Sequence, residues 1–142
     1  MSEQMAKFVV LSSTENVRLI GEKIEVLCLE QSMPPNIRED VVIAVDEAVT
    51  NIMIHSYNGR EDGEIEITCR CGSGELELQL EDSGTSFTMP RLEGLVERKR
   101  SNALTRGGYG LILMHKFMDD VSFFWNSEKE KNILVMKKRF RV

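Results

Sequence analysis

The sequence predicts a single-domain α/β (α+β) fold, a two-layer sandwich in which three helices cover one face of a four- or five-stranded sheet. Three observations predict it. Ile65, Ile67 and Cys69 alternate with Glu64, Glu66, Thr68 and Arg70. After Gly72-Ser73-Gly74 the same rhythm returns, as Leu76, Leu78 and Leu80 against Glu75, Glu77, Gln79 and Glu81. That is an antiparallel hairpin with one buried and one wet face. Upstream of it, two stretches repeat apolar residues at helical spacing, and downstream a third stretch does so before a final pair of apolar runs.

Each element follows in chain order. Phe8-Val9-Val10-Leu11 is a short first strand. Ser12, Ser13 or Thr14 is expected to cap the helix that follows by accepting a backbone N–H bond. In that helix Val17, Ile20, Ile24, Leu27 and Cys28 form the buried face, and Pro34-Pro35 prevents its continuation. Asn36 is the expected cap of a second helix running from about Ile37 to Ser56, with a stripe of Val41, Val45, Ala48, Val49 and Ile52. The Asn58-Gly59 turn ends it. Beyond the hairpin, periodicity fails from Ser83 to Gly108. An irregular stretch of that length inside a small domain is characteristic of a functional lid. Leu111, Met114, His115 and Met118 mark the third helix, and Val121–Trp125 with Ile133–Phe140 form a last hairpin around Ser127–Asn132.

Composition excludes several function classes. A chain of 142 residues and 16.2 kDa, 42% hydrophobic and 29% charged, fits one soluble domain across residues 1–142. Acidic residues outnumber basic ones 23 to 18, for a net charge of −5, which argues against nucleic acid as the main partner. The basic clusters Arg98-Lys99-Arg100 and Lys137-Lys138-Arg139 read as a solvated loop and a charged edge strand. The apolar runs Val41–Val45 and Leu111–Met114 fall far short of the roughly 20 residues a membrane span needs. Met1-Ser2-Glu3-Gln4 does not open a secretory signal. Cys28, Cys69 and Cys71, an odd set without framework spacing, are expected to be reduced thiols in a cytoplasmic protein.

Three short motifs carry chemistry. Glu47, Asn51 and His55 lie four apart on the second helix. Each step of four advances a net 40° or so, placing all three within an arc of roughly 80° beside the apolar stripe. This is either a solvated polar face or a carboxylate and an amide aimed at one ligand, the amide oxygen being a hard donor suited to Mg²⁺. Asp82-Ser83-Gly84 ends a well-patterned strand. It is either a simple turn or a base-recognition corner, with Asp82 accepting from an amino group and Gly84 allowing close approach. Gly107-Gly108-Tyr109-Gly110 opens the third helix, where free N–H groups can hold phosphate. It is neither a dinucleotide fingerprint nor a GxxxxGK[ST] loop.

Taken together and in order, these motifs resemble the ATP-binding superfamily of DNA gyrase, the ninety-kilodalton heat-shock chaperone and the sensor histidine kinases (GHKL). Glu47-Ala48-Val49-Thr50-Asn51 is similar to its N-box, Asp82-Ser83-Gly84 to its Asp-x-Gly box, and Gly107-Gly108-Tyr109-Gly110 to its glycine box, with an ATP lid at about 85–107. A narrower resemblance is to the anti-sigma-factor serine/threonine-protein kinases. It rests on Asp46–Asn51 with His55, on Asp82–Phe87, and on Gly110-Leu111 running to Phe117-Met118-Asp119-Asp120-Val121.

The resemblance implies a histidine-kinase-like sandwich whose sheet is mixed but mostly antiparallel, and an ATP–Mg²⁺ site. Asn51 would coordinate Mg²⁺, Asp82 would bond the adenine amine, and Gly84 would line the base. Gly108, Tyr109 and Gly110 would offer N–H groups to the phosphates, with Arg106 reaching the γ-phosphate. Phe87 and Leu111 complete the nucleotide-site set. Glu47 would be the catalytic base toward a serine of an anti-anti-sigma (STAS) protein. A sigma factor or analogous target is the sequestered partner, and a homodimer is implied. The alternative is an ATP-binding partner-switching module without kinase activity. Two departures bear on that choice. Ser86 stands where many relatives have a second glycine, and Glu130-Lys131-Asn132-Ile133 replaces a Gly-Thr pair before the last strand. There, either Asn132 supplies a substitute hydrogen bond or the adenine contact is weaker.

Overall fold

The computed structural model of the chain describes residues 3–87 and 106–142. In order, these form β1 (Gln4–Leu11), α1 (Asn16–Glu30), α2 (Pro35–Asn51), a π-helical turn (Ile52–Ser56), β2 (Glu64–Gly72), β3 (Glu75–Asp82), α3 (Arg106–Phe117), β4 (Asp120–Asn126) and β5 (Lys131–Arg139). The strands make one sheet in the order β1-β2-β3-β5-β4. Every neighbouring pair is antiparallel, so the expected parallel admixture is not present among the described strands.

The apolar alternation decides which face is covered. Ile65, Ile67, Cys69 and Cys71 of β2, Leu76, Leu78 and Leu80 of β3, and Leu134 and Met136 of β5 are buried. They meet Ile20, Ile24, Leu27 and Cys28 of α1, Val41, Val45, Ala48 and Val49 of α2, and Leu111 and Met114 of α3 in one core. Side chains on the other face, such as Glu66, Thr68, Glu77 and Gln79, remain partly exposed. Ser73 and Gly74, both at positive φ (55° and 74°), make the tight β2–β3 turn, the backbone twist favoured between antiparallel strands.

The termini of the helices depart from the sequence expectations. None of Ser12, Ser13 and Thr14 caps α1 through its side chain; the N-cap position is Glu15, with no side-chain cap bond. Ser12 is instead buried between two loops. Its hydroxyl donates to the Arg60 carbonyl and accepts from the Gly63 N–H at 3.0 Å. Asn36 is not a cap either, because α2 already begins at Pro35, whose ring supplies a helical φ and lacks only an N–H the first turn does not use. At the other end the regular helix stops at Asn51, and Ile52–Ser56 continue it as a wider π turn, in which the Tyr57 N–H reaches the Ile52 carbonyl at 3.2 Å.

Candidate nucleotide site

The π turn sets the geometry. It inserts one surplus residue between the helix and the following turn, a feature frequent at functional sites. Residues 52–56 therefore do not continue the 100° steps that would line His55 up with Glu47 and Asn51. Asn51 is buried and Glu47 half-buried, whereas His55 is exposed and turns its ring toward Phe87, with centroids 5.6 Å apart. Phe87 in turn packs on Phe123 of β4 at 4.7 Å. These rings fasten the chain just beyond the Asp-x-Gly box to the sheet.

The same turn drives Ser56 into the sheet end. The Ser56 carbonyl accepts from the Thr85 N–H at 2.7 Å. Gly84 has no room for a side chain, since a Cβ there would overlap that carbonyl. Asp82, Asn132 and Ser56 are 2%, 1% and 0% exposed. Asp82 faces Asn132 directly in the β3–β5 register, and Trp125 follows in the β4–β5 register, so one cross-strand row carries all three. Asn132 Nδ2 donates to Asp82 Oδ1 at 3.0 Å, to the Thr85 carbonyl at 3.0 Å and to Ser56 Oγ at 3.3 Å. The Gly84 N–H donates to the same Asp82 oxygen at 3.0 Å. Tyr57 braces the corner from below: its hydroxyl donates to the Glu64 carbonyl and accepts from the Ser83 N–H at 2.9 Å.

Burial pushes the Asp82 carboxyl above the usual aspartate range, while the bonds from Asn132, Gly84 and Ser56 pull it back in part. Asp46 is also raised, by burial first and by the neighbouring Glu47 charge second. Among the described residues, Gln4 Oε1, Asn51 Nδ2, Asp82 Oδ2 and Asn132 Oδ1 are buried without a hydrogen-bond partner. Unpaired buried polar atoms are costly, and three of these four fall on Asn51, Asp82 and Asn132, predicted or adjacent site positions.

At the other end, α3 crosses α2 where Gly110 meets Glu47: a Cβ at Gly110 would collide with the Glu47 carboxylate. The absent side chain is what lets that carboxylate sit beside the start of α3. With α3 beginning at Arg106, the N–H groups left without helical partners are those of residues 106–108. Gly108 is among them. The N–H groups of Tyr109 and Gly110 fall where the helical bonds start, so the free donors lie slightly upstream of the predicted set. Leu111 is 6% exposed and packs in the core. The side chains of Arg106 and Tyr109, and most of the predicted lid with its Arg98-Lys99-Arg100 cluster, lie outside the described residues.

The predicted residues Glu47, Asn51, Asp82, Gly84, Phe87 and Gly110 are thus carried by α2, the end of β3 and the start of α3. Sequence reasoning did not single out Ser56, Tyr57 or Thr85. Asn132 was legible in one respect: it interrupts the inward series Leu134, Met136 with a polar residue, as Asp82 interrupts Leu76, Leu78, Leu80.

The model of the histidine kinase-like ATPase domain matches residues 10–138. An anti-sigma F factor of Clostridium botulinum (strain Eklund 17B) is 36% identical over 124 residues, covering 84% of this chain and 85% of that protein. The chain belongs to the histidine kinase-like ATPase family, in its anti-sigma-factor serine kinase branch. Within that family, an anti-sigma F factor of Clostridium novyi is 30% identical over 143 residues, 99% of this chain and 98% of the relative. A serine-protein kinase RsbW of Listeria innocua is 38% identical over 92 residues, 62% of this chain and 59% of its own length. Among solved structures, the RsbU and RsbW domains of Rv1364c from Mycobacterium tuberculosis superpose with a TM-score of 0.68 at 14% identity, over 96% of this chain and 32% of that one. The catalytic domain of the histidine kinase ThkA gives 0.51 at 15%, over 96% and 97%. At such identities these two structures speak to the fold alone.

Proposed function

We propose that this chain is an ATP–Mg²⁺-dependent serine kinase that phosphorylates a STAS-type anti-anti-sigma protein and sequesters a sigma factor or similar target. It would work as a homodimer of single nucleotide-binding domains spanning residues 1–142, in the cytoplasm. Among the described residues no helix is long and apolar enough to cross a membrane. The observation that carries the proposal is the set of buried, unpartnered polar atoms on Asn51, Asp82 and Asn132, with the Glu47 carboxylate at the opposite end against Gly110.

The residues fit the nucleotide. Asp82 Oδ2 would accept from the exocyclic amine of adenine, and Gly84, pressed on the Ser56 carbonyl, would line the base. The free N–H groups at the start of α3, Gly108 included, would take the phosphates, assisted by Tyr109, Gly110 and, for the γ-phosphate, Arg106. Phe87 and Leu111 would act through packing, the first on His55 and Phe123, the second in the core.

Asn51 would hold Mg²⁺ through its amide oxygen, leaving its nitrogen to the ligand. Among the described residues no group of three His, Cys, Asp or Glu converges on a metal position. One amide ligand, completed by phosphate and water, suits a hard ion that keeps much of its hydration. When bound, Mg–ATP supplies the transferable phosphoryl group and the neutralisation of its charge. Glu47 would accept the proton of the partner's serine hydroxyl as its oxygen bonds to the γ-phosphorus and the bond to ADP breaks. A positioned base of this kind is worth roughly 10²–10⁴ in rate.

The test is to mix the protein with Mg–ATP and its cognate antagonist and look for phosphoserine by mass spectrometry. Transfer that disappears in Glu47→Ala while ATP binding survives supports the kinase. Tight ATP binding without transfer would leave the partner-switching module, the reading that Ser86 and the missing Gly-Thr pair favour.

A further inference from the structure

α1 and α2 come close together at Gly21, where a Cβ would lie 3.2 Å from Asp46 Oδ1 and 3.6 Å from Val42 Cγ1. One turn further along α1, at Glu25, the two helices leave between them a groove of about 330 Å³. Pro35, Val42 and Ile43 of α2 give it an apolar lining. Its charged groups are Glu25 on α1 and Arg38 and Glu39 on α2. The Arg38 guanidinium is already engaged, since its Nη1 donates to the Met33 carbonyl at 3.1 Å. Among the described residues neither Glu25 nor Glu39 forms an ion pair. Apolar surface continues past the groove: Ile43 is 39% exposed, and Leu29, four residues on from Glu25 and so on the same side of α1, is 57% exposed. The two helices together carry seven acidic residues and three basic ones, so most of the net charge of −5 sits on this layer. The open face of the sheet differs, because its carboxylates meet cations in Lys7–Glu66, Lys131–Glu81 and Arg139–Glu75.

We propose that the α1–α2 groove docks a cationic amphipathic helix of a partner protein. Apolar side chains of that helix would lie on Pro35, Val42, Ile43 and Leu29, and its Lys or Arg residues would reach Glu25 and Glu39. A helix is the element that presents an apolar strip flanked by charges to the space between two others. The sign follows from the groove itself: two carboxylates without ion pairs stand against one cation that is already hydrogen-bonded. Assigning the helix to the sequestered target rests on the function proposed above, since a target that acts on nucleic acid needs basic surfaces. The chemistry of the groove does not rest on it. Glu39 precedes Glu47 on α2 by about 12 Å. The groove lies on the α1 side of α2, whereas Glu47 meets α3 at Gly110. An occupant therefore leaves the phosphate end open.

The probe is an amphipathic peptide of about 18 leucine and lysine residues, long enough to be helical, titrated into the ¹⁵N-labelled full chain. Two controls accompany it: the same residues in scrambled order, and a version with Glu in place of Lys. The amphipathic cationic peptide should move the amides of Glu25, Arg38, Glu39 and Ile43, with a Kd that rises with salt. The scrambled and acidic peptides should not move them. Glu25→Gln combined with Glu39→Gln should weaken binding at least about fivefold, and Ile43→Ser by a similar factor. All three positions are exposed, so the variants should fold, and an unchanged urea midpoint checks this. Equal binding of the scrambled peptide, shifts scattered over the acidic surface, or indifference to both variants overturns the proposal. So do movements of the same amides on simple dilution of the chain, which would mean that a second copy fills the groove. Phosphate transfer plays no part in the readout. A chain that binds the peptide and phosphorylates nothing loses the kinase reading and keeps the groove; one that transfers phosphate and ignores the peptide loses only the groove.

Discussion

The two ends of the candidate site are built by opposite means. At the base end Asp82, Asn132, Ser56, Gly84 and Thr85 are interlocked by hydrogen bonds, and the side chains of Asp82, Asn132 and Ser56 are almost wholly buried. At the other end the half-buried Glu47 carboxylate occupies the gap that Gly110 leaves, beside the start of α3. One end is shaped before the ligand arrives, and the other is a set of groups that a charged ligand would organise. Affinity and selection should therefore reside in the first, and rate in the second.

The sharpest way to break this division is at Glu47. Glu47→Gln should lower phosphoryl transfer about 10²–10⁴-fold, with ATP affinity within a few-fold of wild type. Quench-flow transfer and nucleotide titration check the two halves; equal loss in both would mean that the ends are not separable.

The same substitution at two glycines should then behave differently. Gly84→Ala drives a methyl into the Ser56 backbone, which cannot yield without breaking the Thr85–Ser56 bond, and should cost about 1–3 kcal/mol in urea unfolding. Gly110→Ala meets only the end of a flexible carboxylate side chain. It should leave stability within about 1 kcal/mol of wild type, helped by better helix propensity, while displacing Glu47 and depressing transfer.

Tyr57→Phe tests the brace beneath the base corner. It removes the acceptor of the Ser83 N–H and the donor to the Glu64 carbonyl, and should cost about 1–2 kcal/mol, with weaker nucleotide binding.

The smallest expected effect is on pH dependence. The folded-state pKa of Asp82 is raised, so between its unfolded value, about 4, and its folded value the native state holds more protons than the unfolded chain. Stability contributed by this group is thus greatest below that window and falls as pH rises through it. Asp82→Asn should flatten the decline in urea midpoint just above pH 4. A steeper decline in the variant would contradict the assigned direction.

Much of the fold was legible because burial imposes simple periods. The alternation of β2 and β3, the Ser73-Gly74 turn and the stripe from Val41 to Val49 each follow from one buried face. The base end was half legible for the same reason: Asp82 and Asn132 are polar residues at inward positions of otherwise apolar strands. What stayed hidden depends on partners distant in sequence. Ser12 carries every local mark of a cap, yet bonds to Arg60 and Gly63. Tyr57 has no signature of its own beyond preceding Asn58-Gly59. The π turn at Ile52–Ser56 leaves no trace in the apolar pattern, because Ile52 and Met53 are buried, as regular helical spacing from Val45 and Val49 would also predict. Its effect on His55 therefore escaped a calculation that assumed regular steps.

That wider turn has a consequence for how the sequence tolerates change. Deleting one residue from 52–56 would convert the segment to an ordinary helix and improve its internal bonding. The same deletion would rotate whatever follows by about 100° and carry the Ser56 carbonyl away from Thr85. A shortened protein that melts later but has lost its grip on nucleotide would show that local irregularity here is retained for what it presents, and that repairing it disarms the molecule.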